Sequence, residues 1–216
     1  MPAGSEKKDA AASRIAELES FGLDSRLSSR VAESEKTFKA MISAFHEAGI
    51  TPETNNKEAK AGLLYTAITK LGNTVGAKGR HMLFASISDG RVGAAPHVEA
   101  AAAWLVSFYR KLGDGVPNAV VKIDEERVTI DQSEFEEAAG VGVVVTEEEI
   151  TAAVDSAIQE NTPALVEKRY RFNTGLMQRD IMKNLRFAEG KAVSALITEK
   201  VAALLGPKTE ADLAKP

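Results

Sequence analysis

Seven basic residues lie between Lys168 and Lys191, against only Asp180 and Glu189, and three of them, Arg179, Lys183 and Arg186, recur at i, i+4 and i+7. That spacing sets three cations along one side of a helix. Met177, Ile181 and Leu185 recur every four residues on the other side, so the same helix carries an apolar stripe to anchor it. A fixed row of cations does one kind of chemistry well. It neutralises phosphates and releases their counterions, a gain that is indifferent to base sequence and falls with salt. A solvated helix face has the same pattern, and both readings stand at this level. Lys168, Arg169, Arg171 and Lys191 flank the row and complete a candidate RNA-binding set.

Other constellations are thinner. His46, His81 and His97 are scattered with no pair at i, i+4, and the chain has no cysteine, so neither a metal cage nor a disulfide is expected. Gly72 to Gly79, reading Gly-Asn-Thr-Val-Gly-Ala-Lys-Gly, has the glycines and lysine of a phosphate loop. Its glycine spacing is wrong, no Ser or Thr follows Lys78, and a helix precedes it, so a plain loop is expected, with Lys78 and Arg80 left as charges that could meet phosphate. Gly140-Val-Gly142 lacks the third glycine of a dinucleotide fingerprint. Glu147 to Glu149 suit a helix dipole better than a cation. No catalytic group and no cofactor is expected.

A chain of 216 residues with 44% hydrophobic content can fold as one or two domains. Its net charge of -4 conceals an asymmetry, because residues 128 to 160 hold nine acidic residues and no Lys or Arg, while 161 to 216 hold ten basic against six acidic. The positive charge is therefore concentrated in the second half. No run of about 18 apolar residues is present, and Met1 to Ala12 reads as a frayed start rather than a signal peptide. The expected setting is cytoplasmic, with no membrane partner.

The elements that must position the cations are helices. Ile15, Leu18 and Phe21 mark a first helix ending at Gly22, and Asp24 starts a second signal. Val31, Phe38, Met41, Ile42 and Phe45 supply one or two helices, with a break near Ser34. Asn55 and Asn56 can cap a helix with Leu63, Ala67 and Leu71, Met82 to Ile87 form a short one, and Pro96 starts another that ends at Gly113. Val121 and Ile123, then Val128 and Ile130, alternate with polar neighbours and predict a small hairpin insert near 119–130. Pro163 opens a helix of its own, one helix covers Gly175 to Ala188, and a last one carries Val193, Ile197 and Val201. The expectation is an all-α chain: a helical subdomain over 1–117, a linker or hairpin over 118–130, and a helical tail-like subdomain over 131–216.

Between the halves, Asp131 with Glu134 and Thr146 with Glu149 have the spacing of capping boxes around Gly140 and Gly142. Gly140, Gly142 and Thr146 thus form a hinge-like joint between two helices. The stretch Glu-Ala-Ala-Gly-Val-Gly-Val-Val-Val-Thr at 137 to 146 resembles the amino-terminal appended region of eukaryotic glutaminyl-tRNA synthetases. The resemblance continues through Glu167-Lys-Arg-Tyr-Arg-Phe-Asn173, Gly175-Leu-Met177, Gly190-Lys191 and Leu204-Leu-Gly-Pro-Lys208, and upstream in Gly62-Leu-Leu-Tyr65. Ile181-Met-Lys183 with Gly190-Lys191 is also similar to the tail of the B subunit of tRNA-dependent amidotransferases, where Arg179 replaces a usual glycine.

The resemblance implies an accessory domain that assists binding of glutamine-accepting tRNA beside the catalytic body of a ligase. The catalytic signature motifs of such ligases are absent from this chain, so it implies no activation of glutamine. A second reading remains open, in which the acidic helix at 147 to 160 and alanine-rich faces such as Ala100 to Ala103 dock on the synthetase body or on other synthetases.

Overall fold

Asp24 and Ser34 begin helices as their side chains suggest: the Asp24 carboxylate accepts the Leu27 N–H at 2.9 Å and the Ser34 hydroxyl accepts the Thr37 N–H at 3.4 Å. The computed structural model describes residues 3–113, 123–209 and 212, with side chains from residue 9 onward. Every regular element among these is helical. Two compact units, Met1–Gly142 and Val143–Pro216, each enclose their own apolar core.

The first unit contains α1 (Ala3–Ser20), α2 (Ser25–Ala32), α3 (Glu35–Glu47), α4 (Lys57–Leu71), α5 (Ala77–Ser88), α6 (Ala95–Leu112) and α7 (Gln132–Ala139). Their apolar stripes converge on a core in which Leu18, Phe45, Leu64, Leu83, Leu105 and Tyr109 are buried. Phe21 stacks on Phe45 with ring centroids 4.8 Å apart. Gly22 permits the close approach of α1 to α4, since a Cβ there would lie 2.8 Å from the Glu58 backbone nitrogen at a φ of +93°.

Two expectations are corrected in this unit. The hairpin does not form over 123–130: Glu125–Arg127 is a 3-10 turn and Val128 is buried in the first core, with Ile123 and Ile130 packed on it. Alternation there comes from burial against helices, with no strand among the described residues. Its other half, 119–122, lies outside the described residues. The boundary expected between 117 and 131 also moves, to Gly142, because α7 belongs to the first core. Phe135 and Ala139 are fully buried there, Trp104 meets Phe135 edge-on at 6.1 Å, Arg91 pairs with Glu136, and His97 Nδ1 lies 2.8 Å from the Ala139 carbonyl.

The second unit contains α8 (Glu147–Lys168), a 3-10 turn over Arg169–Arg171, α9 (Thr174–Asn184) and α10 (Gly190–Leu205). Thr146 opens α8 with a complete capping box, its hydroxyl accepting the Glu149 N–H at 3.2 Å and its own N–H donating to the Glu149 carboxylate at 2.8 Å. Pro163 does not start a new helix. It sits inside the 22-residue α8, whose Ile150, Val154 and Leu165 are buried on both sides of it in one core. Tertiary packing of that stripe outweighs the lost backbone hydrogen bond. Val166, next to buried Leu165, is exposed.

Candidate nucleic-acid interface

Met177 and Ile181 are buried and hold α9 against the second core, with Leu185 half-buried beside them. Arg179 and Lys183 are exposed on that helix, four residues apart, as the sequence predicts. Arg186 leaves the row. The helix ends at Asn184, Leu185 turns away from helical geometry at φ -108°, and Ala188 is drawn into the core. The Arg186 guanidinium lies 5.3 Å from the centre of the Phe187 ring and is exposed. Lys191 is exposed on the first turn of α10.

Between the two α9 cations stands a residue that the row did not include. Asp180 lies 3.2 Å from Lys183 Nζ and 3.6 Å from Arg179 Nε. The Lys183 hydrogen bond, and then the charges of Lys183 and Arg179, hold its carboxyl below the usual aspartate value. Asp180 therefore partly neutralises the row and keeps its two cations side by side.

The other candidates converge where α8 ends. Lys168 is its last residue and is exposed, while Arg169 takes a left-handed φ of 48° and directs the chain into the 3-10 turn. Arg169 Nε lies 3.1 Å from the Asp212 carboxylate, and its Nη2 donates to the carbonyls of Leu205 at 3.1 Å and Pro207 at 3.3 Å. The Tyr170 hydroxyl donates to the Gly206 carbonyl, and Lys208 Nζ lies 5.2 Å from the centre of the Tyr170 ring. Tyr170 thus helps strap the end of α10 onto the end of α8. Glu167, Lys168, Arg169, Arg171 and Asp212 line an open cleft of about 500 Å³. Lys208 and Asp212 were not singled out by sequence reasoning. Lys208 stood in the Gly-Pro-Lys ending, but only folding brings it to Tyr170.

Gly140 ends α7 in the left-handed region at φ 67°, and Gly142 follows at φ 81°, so both glycines of the joint occupy backbone conformations that other residues resist. In the first unit, Lys78 and Arg80 are engaged by the protein itself. Lys78 Nζ donates to the Glu126 and Val128 carbonyls, and Arg80 donates to those of Val75 and Gly72. Among the described residues no cluster of three His, Asp or Glu side chains could hold a metal, and no helix is long and apolar enough to cross a membrane.

A family model for the first section of the region described as "Glutaminyl-tRNA synthetase, non-specific RNA binding region" matches residues 12–111 and 116–190. Among curated relatives, the chain is 32% identical to the glutamine–tRNA ligase of Lupinus luteus over 219 residues, covering 100% of this chain and 25% of that one. It is 48% identical to the Mus musculus glutamine–tRNA ligase over 86 residues, covering 40% of this chain and 11% of that one. The chain thus spans a quarter or less of the length of these relatives. The tRNA binding domain of glutaminyl-tRNA synthetase from Saccharomyces cerevisiae has the same fold, with a TM-score of 0.54 and 18% identity over 94% of this chain and 99% of that one. The extent of the family match decides the assignment: this chain belongs to the family of the non-specific RNA binding region of glutaminyl-tRNA synthetases.

Proposed function

We propose that this chain is a non-catalytic accessory region that strengthens the hold of a glutamine–tRNA ligase on glutamine-accepting tRNA through phosphate contacts made by the second unit. The observation that carries the reading is the pairing of Arg179 and Lys183, exposed on a helix whose opposite face is fixed by buried Met177 and Ile181. Cations on a rigid element meet a phosphate backbone at little entropic cost. Lys168, Arg171, Arg186 and Lys191 extend the set, and membership of a family described as non-specific in its RNA binding agrees with readout of charge and shape. That membership favours RNA over docking on other proteins. The catalytic body of the same ligase, in the cytoplasm, is the neighbour this role requires.

The test is a titration of tRNA transcripts of different sequence over a range of salt concentrations. Replacing Arg179 and Lys183 together by Ala is expected to weaken binding to all of them about equally and to flatten the salt dependence by up to about one unit of slope for each phosphate no longer neutralised. Unchanged affinity and slope, with the helical content intact, overturn the phosphate role of α9. Glu148→Ala is the matched control.

A further inference from the structure

We infer that Asp212 is an internal stand-in for an RNA phosphate on Arg169, closing the guanidinium off in the free protein and yielding it to a backbone phosphate when RNA docks. The inference rests on the phosphate-binding reading above and adds to it a built-in competitor.

The donors gathered around the Asp212 carboxylate are those a phosphate group takes. Its Oδ2 receives Arg169 Nε at 3.1 Å, the Thr209 N–H at 2.8 Å and the Thr209 hydroxyl at 2.8 Å. A guanidinium, an amide and a hydroxyl on one oxygen form a charge-assisted anion site. The carboxylate is withdrawn, its side chain 4% exposed, whereas the Arg169 side chain is 34% exposed and lines the cleft of about 500 Å³. An anion entering that cleft meets Lys168, Arg169 and Arg171 among its lining residues.

Two further observations mark the clasp as releasable. Arg169 holds a left-handed φ of 48°, a conformation that costs a non-glycine residue energy and persists only while its surroundings enforce it. Those surroundings include the contacts to Asp212, Leu205 and Pro207, and all three lie in one short C-terminal segment. Charge favours the exchange as well. Among the described residues that line the cleft, Lys168, Arg169 and Arg171 outnumber Glu167 once Asp212 has moved aside. Loss of the clasp then frees the Thr209 amide and hydroxyl from the Asp212 carboxylate, so RNA binding and the order at Thr209 are coupled through one guanidinium.

The experiment compares the full chain with Asp212→Asn, Arg169→Ala, the double variant and Glu167→Gln, each titrated with a glutamine-accepting tRNA transcript over a range of salt. Asp212→Asn is expected to tighten binding about three- to tenfold and to steepen the salt slope by about one unit. Glu167→Gln, which removes an equal charge from the same cleft without freeing Arg169, is expected to do less. The gain from Asp212→Asn should vanish when Arg169 is Ala. Thr209→Ala, which weakens the clasp and leaves both charges in place, should shift affinity in the same direction, and RNA should speed hydrogen exchange at the Thr209 amide in the unaltered chain. Equal effects of Asp212→Asn and Glu167→Gln, or a gain that survives without Arg169, overturn the clasp while leaving the RNA reading in place. An unaltered chain with no salt-dependent tRNA binding overturns both.

Discussion

The Lys78 ammonium donates to the Val128 carbonyl at 2.8 Å, across 50 positions of sequence, and to the Glu126 carbonyl at 3.1 Å. Around it, the Glu125 carboxylate accepts the Lys78 N–H at 3.1 Å and the Tyr109 hydroxyl at 3.2 Å, and that hydroxyl accepts the Gly79 N–H at 3.0 Å. The start of α5, where a phosphate would sit in a phosphate loop, is filled by the protein's own carboxylate. Lys78→Ala is therefore expected to lower stability by about 1 kcal/mol, measured by urea unfolding, and to leave tRNA affinity unchanged. A loss of affinity as large as that of the Arg179 and Lys183 double variant would place Lys78 in the RNA interface instead.

Phe135 anchors α7 in the first core. Its ring is fully buried against Trp104. Replacement by Ala opens a cavity and is expected to cost about 3–5 kcal/mol in calorimetric or denaturant unfolding. Faster hydrogen exchange should appear in α6 and α7. A cost below about 1 kcal/mol would contradict the assignment of α7 to the first unit.

Asp180 limits the α9 cations. Its replacement by Asn removes the acid lying 3.2 Å from Lys183 Nζ and 3.6 Å from Arg179 Nε. Binding to tRNA is expected to tighten about two- to threefold at low salt, with the advantage shrinking as salt screens the exposed charges. Weaker binding in this variant would mean that Asp180 chiefly orients the two cations.

Asp212 should make the C-terminal turn acid-sensitive. The Thr209 N–H, then the Thr209 hydroxyl and Arg169, hold its carboxyl below the ordinary aspartate value. Because the folded value is depressed, the stabilisation is fully present above the unfolded value of about 3.9 and is lost as pH falls through the folded one. Protection of the Thr209 amide against hydrogen exchange, taken relative to its intrinsic rate at each pH, should fall on acidification below about pH 4, and Asp212→Asn should remove that pH dependence. Exchange that follows the intrinsic rate alone across that range would show that the clasp does not close the turn.

The sequence alone determined what depends on neighbours within three or four positions. Asp24, Ser34 and Asp131, and the Thr146 and Glu149 pair, cap helices because side chain and backbone donor are adjacent in the chain. Gly140 turns left-handed for a reason internal to itself, and the stripe of Met177 and Ile181 set opposite Arg179 and Lys183 follows from helical periodicity. Tertiary structure decided everything that needed a distant partner. Leu165 buried with Ile150 and Val154 carried α8 through Pro163, Ala188 pulled the chain off the helix before Arg186, and Phe135 moved the boundary to Gly142. Nothing local distinguishes Arg169 from its basic neighbours as a cation, yet it faces a carboxylate 43 positions away. Periodicity states which face a charge occupies. Whether that charge is already spent on the protein depends on contacts between segments that only the folded chain brings together.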